Sequence, residues 1–157
     1  MHYPGYNTGN IILIEGNWYP FRITNLLQLQ DEAWYYVMLD INGLKHFMPA
    51  EYYKQYGFKI GDEINCKIDR INCTGRLFLE PQHPFYNEGE NYLFEVQKIL
   101  VQADENVLIV KEKLENFVEV SISKSGIKEI INEKKVYCRV NSITKGSLNL
   151  ELNSISP

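Results

Sequence analysis

The run Trp34-Tyr35-Tyr36-Val37-Met38-Leu39 concentrates the side chains of this sequence best suited to non-covalent chemistry. Side chains alternate across a strand, so Trp34, Tyr36 and Met38 share one face. An exposed row of such groups forms a platform for flat ligands. Base-on-aromatic stacking is worth about 1–3 kcal/mol per base and tolerates any base sequence, enough for binding without strong charge. The same residues could equally serve as core or strand-pairing aromatics. Covalent chemistry has no comparable signal. The sequence has no Ser-His-Asp arrangement, no HExxH and no Gly-rich phosphate loop. Asp62-Glu63 and Glu112/Glu115 read as a turn and a solvated strand edge. His2, His46 and His83 are scattered, and the three cysteines form no CxxC pair, so neither a metal site nor a cofactor is expected. The expectation is a non-catalytic binding protein.

The elements that must position these residues occur twice. Glu15-Gly16-x-x-Tyr19-x-Phe21-x-Ile23 returns as Glu88-Gly89-x-x-Tyr92-x-Phe94-x-Val96. Ile64-x-Cys66-Lys67-Ile68 returns as Val136-x-Cys138-Arg139-Val140, and Gly75-x-Leu77-x-Leu79-Glu80 as Gly146-x-Leu148-x-Leu150-Glu151. Two copies of this size predict two small domains of one fold. The repeat predicts an N-terminal arm (1–14), a first domain (15–83) and a second (84–157). Pro81 and Pro84 make the connector short and stiff. Cys66 and Cys138, at equivalent positions in apolar strands, read as small core residues.

In each copy, alternation and turn signals predict three strands, a short helix and two more strands. In the first, residues 18–29 and 34–39 are strands, and Asn42-Gly43 turns into a third over 44–48, ended by Pro49. Residues 50–56 form a short helix capped by Gly57, with at least two of Tyr52, Tyr53 and Tyr56 plugging the barrel, before strands over 64–71 and 77–80. The second copy predicts strands over 92–101, 107–111, 117–122, 136–143 and 148–152, with a helix near 125–131. This is the element order of the OB fold, a five-stranded, partly open Greek-key barrel. The fold class expected is all-β with short helices, as two tandem barrels.

The first copy further resembles the S1 RNA-binding subclass of OB folds. Gly43-Leu44-Lys45-His46, Gly61-Asp62-Glu63-Ile64, Ile68-Asp69 and Gly75-Arg76-Leu77-Phe78-Leu79 follow that family's motifs in order, over about residues 16–81. The loop 70–74 is longer than the family requires. The resemblance implies RNA held by aromatics on strand two, a His on strand three, and an Asp and Arg on strands four and five. His46, Asp69 and Arg76 match those residues. Alignment on Asp40 puts Tyr35 and Met38 at the aromatic positions, and Trp34 and Tyr36 could supply the stacking instead. Lys45 and Lys67 would extend a positive stripe through Arg76.

The second copy departs from that pattern. Its strand two, Val107-Leu108-Ile109-Val110, has no aromatic; Gly-Leu-x-His is missing; Asp69 becomes Asn141 and Arg76 becomes Ser147. A degenerate copy of this kind supports the first or contacts a protein partner.

Composition limits these readings. The net charge is −4, and each copy carries more acid than base, which argues against avid, salt-driven binding to a phosphate backbone. The longest apolar run, Ile11–Ile14, is far too short to span a bilayer and lacks a charged region before it. No membrane association is expected, and the cytoplasm is the expected compartment. The leading expectation is single-stranded RNA, with single-stranded DNA as a related ligand, on the strand-two and strand-three face of the first domain. The competing one is a protein-interaction or regulatory OB module within a larger assembly, where exposed Tyr and Trp also serve as anchors.

Overall fold

Two five-stranded antiparallel sheets of identical topology make up the computed structural model, which describes residues 10–123, 126 and 130–154. The chain divides into two compact units between Gln82 and His83. Unit 1 contains β1 (Trp18–Gln28), β2 (Trp34–Leu39), β3 (Lys45–Pro49), a 3-10 segment (Glu51–Tyr56), β4 (Glu63–Ile71) and β5 (Leu77–Pro81). Unit 2 contains β6 (Asn91–Val101), β7 (Asn106–Lys111), β8 (Phe117–Ile122), β9 (Lys135–Thr144) and β10 (Ser147–Ser154). The orders are β3-β2-β1-β4-β5 and β8-β7-β6-β9-β10. In unit 1 the sheet edges β3 and β5 touch over a small patch; in unit 2 β8 and β10 pack together more extensively. A first strand shared between the second and fourth, with the third brought round to the fifth, is the OB arrangement. The fold is all-β, with tandem OB-like barrels. The helix expected near 125–131 falls largely outside the described residues, as does the arm up to residue 9.

Alternation explains which side chains fill each barrel. Phe21 and Ile23 of β1, Cys66 and Ile68 of β4, and Leu77 and Leu79 of β5 point inward and are buried. In unit 2 their counterparts Phe94, Cys138, Val140, Leu148 and Leu150 do the same, while Val96, in the place of Ile23, is only partly buried and Val136, in the place of Ile64, is fully buried. Full burial of one such large apolar side chain is worth roughly 1.5–3 kcal/mol. Both core cysteines are free thiols; burial pushes the Cys138 thiol up to about 12 and the Cys66 thiol up as well. They are packing groups, as their strand positions predict. In unit 1 the 3-10 segment ends at Gly57, whose φ of 76° is the left-handed cap glycine favours. Tyr53 from that segment is buried and donates its hydroxyl to Glu80 Oε1 at 3.2 Å, with Tyr56 packed against the same core.

The repeated Glu-Gly-x-x-Tyr signature is a clasp. The Glu15 carboxylate accepts the Ile71 N–H at 2.6 Å, and Glu88 accepts the Ile143 N–H at 2.9 Å. Each N–H lies at the end of a strand that has just passed a bulge, at Ile68/Arg70 in one unit and opposite Asn149/Leu150 in the other. The glycine that follows has φ of 87° or 88°, and its N–H reaches Ile68 O or Val140 O at 2.7 Å. A Cβ-bearing residue would be strained there. The Tyr19 hydroxyl accepts the Ile14 N–H at 3.0 Å, and the Tyr92 hydroxyl the Asn87 N–H at 2.8 Å. The segment before each first strand is thereby fastened to its own barrel. Leu13 packs on the core of unit 1 and Tyr86 within that of unit 2. The domains therefore begin a few residues before the copied sequence does.

Candidate nucleic-acid interface

Register decides which of the candidate residues can meet a ligand. On β2, Tyr36 and Met38 are buried in the core, Met38 completely. Their row faces the barrel interior because Met38 pairs with Ile23 of β1, the most deeply buried residue of that strand. This corrects the expected platform. Tyr36 meets Phe58 edge-on at 5.8 Å inside the unit, and only Trp34, at the start of the strand and 51% exposed, remains accessible from that row.

His46 is also displaced from its expected role. It pairs with Met38 and so stands on the inward side of β3, its ring edge-on to Phe21 at 6.1 Å and its Nε2 2.8 Å from Asp40 Oδ2. The other Asp40 oxygen accepts the N–H groups of Asn42 and Leu44 at 2.8 and 2.9 Å. Burial alone would raise the Asp40 carboxyl, but these hydrogen bonds, His46 first among them, hold it below the usual carboxylate range. His46 locks the hairpin between β2 and β3. Asp69 is exposed at the β4 bulge, between Ile68 and Arg70, and is not the cross-strand partner of Arg76.

The outward row carries the accessible groups at its flanks, with Val37 in its middle covered by its neighbours. Tyr35, Val37 and Leu39 of β2 pair with Pro49, Phe47 and Lys45 of β3. Phe47 is 42% exposed and meets Tyr35 edge-on, with ring centres 6.3 Å apart. Beside them Thr24, Asn25, Leu27, Val37, Lys45 and Phe47 line a shallow depression of about 320 Å³. The Tyr35 hydroxyl donates to Asp31 Oδ2 at 2.6 Å. That bond lowers the Asp31 carboxyl, with help from the Ala33 N–H, and raises the Tyr35 phenol; the Arg76 charge acts on both groups. Arg76 is exposed, with its guanidinium 5.0 Å from the Phe78 ring centre and that of Arg70 at 4.3 Å. Lys67, on β4, pairs with Trp18 and Glu80, away from this row.

Tyr35 had a place in the family alignment. Phe47, Arg70 and Phe78 were not singled out, although alternation could have found them. Phe47 lies two residues from the polar Lys45, and Phe78 stands between the inward pair Leu77 and Leu79.

Unit 2 keeps the scaffold and changes this face. Its register places Val107 where unit 1 has Tyr35, Phe117 where it has Lys45, and Glu119 where it has Phe47. Ser142, Ser147 and Asn149 replace Arg70, Arg76 and Phe78. The result is a groove of about 620 Å³ lined by hydroxyls, amides and the carboxylates of Glu119 and Glu151. Among the described residues no group of acids, histidines and cysteines could hold a metal ion, and no helix is long and apolar enough to cross a membrane.

No family model matches the chain, and no curated protein matches it in sequence. Among solved structures it is similar to the Ifi202 HINa domain in complex with 20-base-pair double-stranded DNA, at 11% identity over 88% of this chain and 93% of that one, with a TM-score of 0.31. It is likewise similar to a murine DNA binding protein bound with double-stranded DNA, at 12% identity over 88% and 95% of the two chains, TM-score 0.29. The cytoplasmic molybdate-binding protein ModG aligns at 11% identity over 81% and 89%, TM-score 0.27. At such scores the likeness carries no argument, and the fold rests on the strand order itself.

Proposed function

We propose that this chain is a non-catalytic, S1-like protein of the cytosol that binds single-stranded RNA on the outer face of β2 and β3 in unit 1. The observation that carries the reading is the outward Tyr35–Phe47 pair beside Lys45, on a strand pair whose counterpart in unit 2 carries Val107 and Glu119. Two adjacent rings accept one or two unstacked bases at about 1–3 kcal/mol each. Arg76, whose field reaches Tyr35, supplies the charge that a phosphate backbone requires, and Trp34, next to Tyr35 in the chain but on the other row of β2, is exposed at the edge of this face. With so few cations on the face, the salt dependence is shallow, and affinity is in the micromolar range.

The test is a fluorescence titration of the Trp18→Phe protein, in which Trp34 is the sole tryptophan, with an unstructured oligouridine at low salt. Saturable quenching that is lost in Phe47→Ala supports the reading. A flat titration with both RNA and single-stranded DNA overturns it, and a stoichiometric, nuclease-resistant protein partner would favour an interaction module instead.

A further inference from the structure

Arg70, Phe78 and Arg76 form a group that the stacking face alone does not require. Arg70 and Phe78 are direct cross-strand partners on β4 and β5. Arg76 lies at the end of the connecting hairpin, where its backbone N–H is held at 2.8 Å by the Asn72 side chain. Both guanidinium groups lie within 5.0 Å of one ring centre, and both side chains are exposed. The ring face fixes each cation by electrostatic attraction to its quadrupole while leaving the N–H edges free to bond elsewhere. Among the described residues, no carboxylate forms an ion pair with either guanidinium. Asp69, the exposed carboxylate before Arg70 on β4, sits at the bulge and makes no ion pair with that arginine. Two like charges gathered on one ring, neither closed in an ion pair and with the Asp31 carboxylate acting on Arg76 only through its field, are an arrangement that an anion completes.

We infer that the Arg70–Phe78–Arg76 cluster is a clamp for a phosphomonoester, the terminal phosphate of a strand bound on the adjoining face. This rests on the proposed RNA reading and deepens it. A phosphodiester offers one negative charge and two free oxygens. A terminal monoester carries about −1.5 to −2 charge at neutral pH and three strong acceptor oxygens. Two guanidinium forks match the second far better, since each can bond an anion through two parallel N–H groups. The position suits an end as well. The sheet edges β3 and β5 meet, which brings the clamp on β5 beside the Tyr35–Phe47 face, and the Arg76 charge acts on the Tyr35 phenol, so the terminus of a strand stacked there lies within reach of the clamp. In unit 2 all three members change together, to Ser142, Asn149 and Ser147, and the stacking pair is absent from the same unit.

The experiment compares oligouridines of equal length carrying a 5′-hydroxyl, a 5′-phosphate or a 3′-phosphate, titrated against the Trp18→Phe protein and its Arg70→Gln and Phe78→Leu variants. One phosphorylated form is expected to bind about tenfold tighter than the hydroxyl form, equivalent to about 1.4 kcal/mol. That ratio is expected to fall below about twofold in Arg70→Gln, by loss of one bidentate partner, and to shrink in Phe78→Leu, where the ring face is gone. Circular dichroism confirms that both variants keep the sheet. If all three oligomers bind wild-type protein equally, the clamp is refuted while the RNA reading stands. If none binds, both are refuted. Equal loss of affinity for all three in Arg70→Gln refutes the clamp by showing a general backbone contact.

Discussion

The carboxylate that closes the second hairpin of each unit meets a histidine, but from two different places. In unit 1 Asp40 takes His46 from β3, at 2.8 Å. In unit 2 the equivalent residue is Glu112, the position of His46 is Val118, and the histidine is His83, from the segment ahead of β6, with Nε2 3.8 Å from Glu112 Oε2. The backbone around them is the same. Leu44 and Asn116 each donate an N–H to the acid at 2.9 Å, and the acid's own N–H returns to their carbonyls. Even the left-handed residue is kept, as Gly43 at φ 83° in one unit and as Glu115 at φ 71° in the other. What persists between the units is the pattern of backbone bonds. Side chains that do not serve it, including the whole outer face of β2 and β3, have diverged.

That contrast can be attacked directly. The largest effect is expected from giving unit 1 the face of unit 2. Tyr35→Val together with Phe47→Glu removes two stacking surfaces, each worth about 1–3 kcal/mol per base. RNA affinity should fall at least thirtyfold while the melting temperature changes little, as measured by titration and calorimetry. Comparable binding by the double variant would remove the functional distinction between the units.

The next effect is a pH dependence that His83 gives unit 2, above the range in which carboxylates titrate. The His83 side chain is fully buried, and burial depresses its pKa to about 4. The Phe85 N–H bonds to its Nδ1 at 3.1 Å, so the neutral ring carries its proton on Nε2. The unfolded chain takes up a proton near pH 6.5 and the folded one does not, so stability is full above that value. It declines as pH falls from about 6.5 to 4, by about 3 kcal/mol. Urea denaturation at several pH values should show that slope in the wild type and its loss in His83→Gln.

A smaller pair of changes tests the shared clasp. Glu15→Ala and Glu88→Ala each strand one backbone N–H and should cost about 1 kcal/mol, with hydrogen exchange accelerating at Ile71 in the first and Ile143 in the second. Unequal costs would show that the copies no longer depend on the clasp alike. The smallest effect is expected at the hairpin. Glu115→Gly relieves a left-handed conformation at the cost of the Lys111–Glu115 ion pair, for a gain of about 0.5 kcal/mol in urea midpoint analysis, whereas Gly43→Ala loses about 1 kcal/mol.

Strand positions were readable because alternation and turn residues report directly on the backbone. Asn42-Gly43, Pro49 and Gly57 mark ends that the structure keeps within a residue or two. The repeat also identified the core, since Phe21, Cys66 and Leu79 recur as Phe94, Cys138 and Leu150 on the inward rows. The face of β2 was not readable. Trp34, Tyr36 and Met38 alternate with Tyr35, Val37 and Leu39, and both rows are apolar, so composition does not say which one is wet. Pairing with β1 decides it, and a β-bulge between Ile23 and Asn25 shifts that register. A one-residue slip moves every side chain to the opposite face. The same geometry carried His46 inward and left Phe47 outside.

The clasp also dictates an order of events at the ribosome. Glu15 and Ile71 are 56 residues apart, and Glu88 and Ile143 are 55. Neither bond can form until most of its unit has been synthesised, and contacts of such span favour slow folding. Once Pro81 has left the exit tunnel, however, every strand of the first barrel is present, and the first clasp can close while the second is still being translated. Domains made in this sequence fold one after the other, so two sets of strands with the same order and the same inward pattern need never compete for each other's partners.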